Sequence, residues 1–595
     1  MTIIMILIAD SLVFAPHSQH SQHDEDYPSQ LLATEYDYII IGGGTSGLTV
    51  GDRLTEGGKH SLLVLEYGYF DTQVNMAPRR MFNITSEMQP NLRNRTFQVG
   101  IGCVVGGSSI VNGQVFLRGS KPEYDAWKEL GGPNSTWDWN GLLPYFRKGI
   151  TLSPPDPEIS AEFNMSYNSK YYGKDARVYA TFSGGRPEPF MKNLYNAMAK
   201  MPGMTIPEDS GSGEAGLYWY PISQDGTEFK RSSSRTGHWD GLNRANYEML
   251  TGAKVNKINF NSDKKAISVQ FISRNDSTVP PVTTKARKQV ILAAGSIHTP
   301  QILLQSGIGP AKLLKEYNIS VVEDLPGVGS NFQDHSYIPQ IAYKWGITPN
   351  GSLPKRQDRN PWGKSVPPTL AAMIGMPVVS PEKYEALSKA FENQDPASHL
   401  PATYTKDQIE GYKQQQKVYS KLFREKNMQW NEMMMFGPGG SIQNLHPLSR
   451  GLVLPPKNDL NAEMTVDYRA ATNAIDVDVM VEIIKFMRRY MTESDLKVWA
   501  PEELSPGVAV TSDNALKDWA RDMINPSVYH PVGTAAKMPR EWGGVVDEEL
   551  AVHGLKDLTI VDASIMPTLI GATTSMTVYA CAEKAADIIK AKTGW

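Results

Sequence analysis

Six consecutive residues, Gly42-Gly43-Gly44-Thr45-Ser46-Gly47, constrain this chain more than any other stretch. They directly follow Tyr38 to Ile41, a continuous apolar run that reads as a buried parallel strand. Gly44 to about Leu54 reads as a helix, and His60 to Glu66 as a second buried strand. Together they form a β-α-β unit around a G-x-G-x-x-G turn. Gly42 permits the tight turn and Gly44 lets a pyrophosphate approach the backbone and the helix N-terminus. Thr45 and Ser46 open the helix, and Gly47 lets it pack close to the strand. Glu66 ends the second strand, 19 residues after Gly47, where a carboxylate accepts ribose hydroxyls. The unit specifies a dinucleotide site without separating FAD from NAD.

The rest of that sheet lies far along the chain. Gln289 to Gly295 (QVILAAG) and Leu558 to Ser564 (LTIVDAS) are short Val/Ile/Leu runs ending in small residues. One nucleotide domain is therefore assembled from distant segments, and the intervening chain forms something else. That material has helical stretches at Pro381 to Glu392 and Lys406 to Lys426, then a strand (MTVDYRA) and a helix (DVDVMVEIIKFMRRYM) between 463 and 492. At 595 residues, 41% hydrophobic and 21% charged, the chain can bury a large core without staples. Its net charge of −4, with no basic stripe, argues against nucleic-acid and polybasic membrane binding. Two cysteines, Cys103 and Cys581, cannot build a Cys-rich zinc site or a disulfide framework, and no metal is expected.

Ile3 to Ala9 and Leu12 to Ala15 are apolar, with Asp10 near the interruption. The stretch is too short to span a bilayer and reads as a signal peptide over 1–15, cleaved after Ala15. A polar lead-in over 16–34 follows, and its His17, His20 and His23 read as a solvated linker rather than a copper or nickel site. Seven N-x-S/T sequons, at Asn83, Asn94, Asn134, Asn164, Asn275, Asn318 and Asn350, fit a secreted glycoprotein.

Four further segments carry a family resemblance. GCVVGGSSIVNGQVFLRGS (Gly102 to Ser120) and GSIHTPQILLQSGIG (Gly295 to Gly309) closely resemble the two signatures of the glucose–methanol–choline (GMC) flavoprotein oxidoreductases. LPGVGSNFQDH (Leu325 to His335) and VDASIMPTLIG (Val561 to Gly571) extend the match, which runs from about residue 36 to 590. The resemblance implies an α/β fold: a Rossmann-like FAD domain over 35–120, 225–335 and 540–595, and a substrate domain with an antiparallel sheet and helices over 121–224 and 336–539. It places Gly107, Ser108, Ser109 and Asn112 against the isoalloxazine, Asp562 and Ala563 near the pyrophosphate and ribityl chain, and Val255 in the cofactor-binding set. It also puts His530, in Tyr529-His530-Pro531-Val532-Gly533-Thr534, at the reactive edge of the flavin. A near-neutral imidazole there is a suitable base for alcohol oxidation.

Departures from the family pattern are informative. Its usual second histidine or asparagine falls on Thr573, which hydrogen-bonds but cannot act as a base. Val111 stands where some relatives tether FAD through a histidine, so noncovalent FAD is expected. Pro526 replaces the sugar-binding arginine of glucose oxidases. Tyr529 offers a ring to an aromatic substrate, as in aryl-alcohol-oxidising relatives, or simply packs. Cys103 reads as a small buried residue. The leading expectation is a secreted FAD-dependent alcohol oxidase or dehydrogenase acting on an aromatic or secondary-metabolite alcohol, with oxygen or a quinone reoxidising the flavin. The alternative is a non-oxidative cyclase of secondary metabolism that keeps FAD, resembling versicolorin B synthase.

Overall fold

A computed structural model describes residues 33–70, 80–182, 186–276, 278, 280–349, 369–457 and 459–595. The segment read as a signal peptide, nearly all of the polar lead-in with its three histidines, and the Asn350 sequon lie outside the described residues.

Two sheets organise the chain. The first has seven strands in the order Tyr247–Leu250, Leu62–Leu65, Glu35–Ile41, Val282–Leu292, Ala266–Ser273, Ala253–Phe260, with Leu558–Ile560 also pairing Val282–Leu292. Glu35–Ile41 is parallel to both neighbours, and Leu62–Leu65 is parallel to Tyr247–Leu250. Ala266–Ser273 runs antiparallel to both of its neighbours. The central strands are apolar at nearly every position because helices cover both faces of a parallel sheet. Tyr38 to Ile40, Leu62 to Val64 and Val290 to Leu292 are completely buried. The two distant runs read from the sequence lie side by side, with Val290, Ile291 and Leu292 opposite Leu558, Thr559 and Ile560.

The second sheet has six antiparallel strands in the order Pro501–Ser505, Ser336–Trp345, Gly439–Asn444, Asn431–Gly437, Thr369–Ile374, Gly216–Tyr220. Its two faces belong to different cores, as the period of two along a strand requires. Leu217, Trp219, Ala372, Met433, Met435 and Ile442 pack with the helix Ile475–Glu493 in one core. Tyr218, Tyr220, Ala371 and Met373 face the other way and join the core of the nucleotide sheet. The second sheet is thus a wall whose inner face is turned toward the first. The chain has an α/β fold with a parallel nucleotide-binding sheet and a separate antiparallel sheet. Among the described residues no helix is long and apolar enough to cross a membrane.

Candidate active site

The glycine turn is built by close backbone approaches. Gly42 has φ +105°, and a Cβ on Gly47 would collide with the Gly42 carbonyl. The helix Thr45–Thr55 starts at Gly44 with no side-chain cap, and the buried Ser46 hydroxyl has no partner. An uncapped N-terminus with an orphaned hydroxyl is a donor set that an anionic group satisfies. Gly107 presses on this turn: its φ is +54°, and a Cβ there would sit 2.9 Å from Gly44 Cα. The Gly106 N–H donates to the Gly43 carbonyl at 2.8 Å, so the first signature is stitched to the turn. The cradle fits a dinucleotide pyrophosphate.

Glu66 is buried, and its two carboxylate oxygens accept the N–H groups of Gly43 and Gly68, both at 2.6 Å. Burial raises its pKa, opposed by those two bonds. Val255 lies on the strand Ala253–Phe260, whose first residue donates to the Glu66 carbonyl at 2.9 Å. Ser108 Oγ accepts the Gly102 N–H at 3.1 Å, and Ser109 Oγ donates to the Gly106 carbonyl at 2.6 Å. The Asn112 side-chain oxygen accepts Arg231 Nη1 at 2.6 Å. Asp562 caps the turn Ala563–Ile565, accepting the Ser564 N–H at 2.8 Å and the Gly295 N–H at 2.9 Å. Its carboxylate is therefore committed to protein donors, while Ala563 accepts the Gly533 N–H at 3.3 Å and ties the cradle to the His530 segment. Cys103 is buried and free, with its thiol pushed up to about 11 by burial.

His530 is the centre of the second half of the site. Its backbone N–H donates to Asp334 at 3.0 Å, and Asp334 also accepts the Ser527 hydroxyl at 2.7 Å. Burial nonetheless pushes the Asp334 carboxyl up to about 7. The preceding Tyr529 adopts φ +68°, a costly conformation for a bulky residue, with its ring 39% exposed above Gly100.

A residue the sequence reading did not single out completes the pair. His335 Nδ1 lies 2.9 Å from His530 Nδ1, and His335 Nε2 lies 2.8 Å from the Ile570 carbonyl oxygen. The rings meet edge-on at 83°. A carbonyl only accepts, so His335 Nε2 carries a proton and donates it to Ile570. Burial, together with the neighbouring His530, holds the His335 pKa well below its usual value, so its Nδ1 is a bare acceptor. His530 must then carry its proton on Nδ1, which leaves its Nε2 lone pair free. Burial depresses the His530 pKa to about 4, so this arrangement persists at neutral pH. The sequence held one signal for His335: it is the last residue of the LPGVGSNFQDH match.

The Ile570 carbonyl is itself held in place. The next residue, Gly571, donates its N–H to buried Glu123 at 2.8 Å, and the same Glu123 oxygen is 2.8 Å from His446 Nε2. Thr573 sits three residues beyond Ile570 and spends its hydroxyl proton on the Val115 carbonyl at 3.0 Å, while accepting the Leu117 N–H at 3.4 Å. It pins the end of the first signature to the start of the helix Thr574–Thr593.

Known proteins place this architecture. Sequence profiles described as GMC oxidoreductase match residues 36–337 and 447–582. Dehydrogenase xptC of Emericella nidulans is 32% identical over 596 residues, covering 95% of this chain and 94% of that protein. An FAD-dependent oxidoreductase from Chaetomium thermophilum superposes with a TM-score of 0.88 at 32% identity, over 94% of this chain and 99% of that one. A fungal aryl-alcohol oxidase gives a TM-score of 0.87 at 32% identity, over 94% and 100%. The chain belongs to the GMC oxidoreductase family, whose members depend on FAD.

Proposed function

We propose that this protein is a secreted FAD-dependent enzyme that oxidises an aromatic or secondary-metabolite alcohol to a carbonyl. The observation that carries the reading is the hydrogen-bonded series from Ile570 through His335 to His530, in which the bare His335 Nδ1 is taken up by the His530 Nδ1–H and the lone pair of His530 Nε2 is left unengaged, as the base. Bound FAD supplies the hydride acceptor. The Gly42–Gly47 turn and Gly107 would hold its pyrophosphate, and Ser108, Ser109 and Asn112 would lie beside its ring. His530 Nε2 takes the hydroxyl proton of the alcohol. His335 and Ile570 keep the His530 ring in one orientation while that proton is held, since the imidazolium retains its Nδ1–H donor bond. The relatives named above support an oxidoreductase. Val111 at the tethering position supports noncovalent FAD, with oxygen or a quinone as the final electron acceptor.

The cyclase reading rested on Thr573 in place of a second imidazole. His335 supplies an imidazole beside His530 from another segment, and Thr573 is occupied with backbone contacts, so oxidation is the better reading. Anaerobic mixing separates the two. An oxidoreductase bleaches its flavin with a benzylic alcohol, whereas turnover without bleaching establishes a cyclase. Acid precipitation should release yellow FAD into the supernatant, and colour that stays with the pellet overturns the noncovalent assignment.

A further inference from the structure

The inner face of the six-stranded sheet carries two buried polar side chains that the mechanism above does not use. Glu432 is 2% exposed and Gln443 6%. They lie directly opposite one another on adjacent antiparallel strands, which puts their Cβ atoms about 5 Å apart. Neither Glu432 Oε1 nor Gln443 Oε1 has a hydrogen-bond partner among the described residues. Buried acceptors without donors are rare and mark a missing partner. With no cation beside it, the Glu432 carboxyl is pushed up to about 8 by burial alone.

Strand parity fixes the direction of this pair. Met433 and Met435 enter the core with the helix Ile475–Glu493, so Glu432 and Met434 point to the opposite, inner face. The register sets Met373, Glu432, Gln443 and Tyr337 in one row across four strands. Tyr337 is two residues beyond His335. In the neighbouring row, Tyr218 accepts Gln429 Nε2 at 2.9 Å, and the Gln429 backbone abuts Gly571. The face that bears Glu432 therefore extends from the strand that begins one residue after His335 toward Gln429, whose backbone abuts Gly571 in the Ile570–Thr573 turn.

We propose that Glu432 and Gln443 form a distal subsite that binds a second hydroxyl group of the substrate, beyond the carbinol oxidised at His530. This rests on the alcohol-oxidation reading. A hydroxyl both donates and accepts, which matches a protonated carboxyl beside an amide oxygen. Tyr337, two residues beyond His335, stands two strand spacings, roughly 10 Å, from Glu432, a separation that favours a substituted aryl compound over a one- to three-carbon alcohol.

The test uses FAD-loaded enzyme and matched benzylic alcohols bearing a remote phenolic hydroxyl, its methyl ether, or an ammonium group. Stopped-flow flavin reduction gives the Kd of each for the parent, Glu432→Gln, Glu432→Leu and Gln443→Leu. The phenol should bind the parent about 10- to 100-fold more tightly than its ether, and Glu432→Leu should collapse that ratio to within about threefold. Glu432→Leu should also melt no lower than the parent, because no internal hydrogen bond is lost. An unchanged ratio, a clear drop in melting temperature, or preferential binding of the ammonium compound that strengthens through pH 8 each overturns the proposal. If no alcohol reduces the flavin, the oxidation reading fails. The subsite is then decided by calorimetric titration with non-oxidisable polyphenols against their methyl ethers, where equal affinities overturn it.

Discussion

The single atom on which most depends is His530 Nε2. It is bare because two other groups have fixed where the protons sit, so changes at His530 and at His335 have different consequences. His530→Ala removes the base: FAD should remain bound while flavin reduction slows by about 10²–10⁴-fold. His335→Leu keeps the base but removes the acceptor that selects its tautomer. Reduction should fall by about 10²-fold or less, and His335→Asn, whose side-chain oxygen accepts the same proton, should recover much of it. The pH profile gives an independent reading. Burial favours neutral His530, so the base stays unprotonated down to its folded pKa of about 4. In an Asp334→Asn variant, which removes the adjacent carboxyl that burial pushes up to about 7, reduction by an alcohol should be flat from pH 8 to about 5 and fall toward pH 4. Loss of activity centred near pH 6.5 would show that the imidazole is not held as described.

At the scale of elements, the glycine turn and the first signature act as one device, because Gly44 and Gly107 meet backbone to backbone. Gly107→Ala places a methyl group 2.9 Å from Gly44 Cα on a backbone with positive φ. The purified variant should therefore lose FAD, read as loss of absorbance near 450 nm relative to 280 nm (about tenfold or more). The Ile570–Gly571 turn depends likewise on Glu123. Glu123→Leu strands the Gly571 N–H and His446 in the interior, and should cost about 2–4 kcal/mol in a denaturant or thermal melt. The sequence made the first of these devices legible and not the second. Strand, glycines and helix follow one another within about thirty residues, so their spacing alone states the geometry. Glu123 and His446 carry no local pattern, and although His335 and Ile570 each lie in a segment of the family match, nothing in those segments states that the two meet; only folding brings the four into one network. Thr573 shows the same limit, since its position in the chain marks the site but its hydroxyl is claimed by Val115.

At the scale of the whole molecule, the sequon asparagines among the described residues face outward. Asn83, Asn94, Asn134, Asn164, Asn275 and Asn318 are all exposed, on elements of both halves of the fold. Protein recovered from its native source should lose apparent mass on endoglycosidase treatment, by about 2 kDa for each occupied site, and an unchanged mass would remove the extracellular assignment. The nucleotide sheet has a further consequence, for the order of events during synthesis. Its first two strands leave the ribosome early, but Leu558–Ile560, which completes the row beside Val282–Leu292, follows about 490 residues after Leu65. At roughly 5–20 residues per second, about 25–100 s separate the emergence of the opening β-α-β unit from that of its last partner. A ribosome stalled anywhere before that strand holds a chain whose nucleotide sheet is one strand short, so flavin loading should come late, and a chain cut before Leu558 should purify without flavin absorbance.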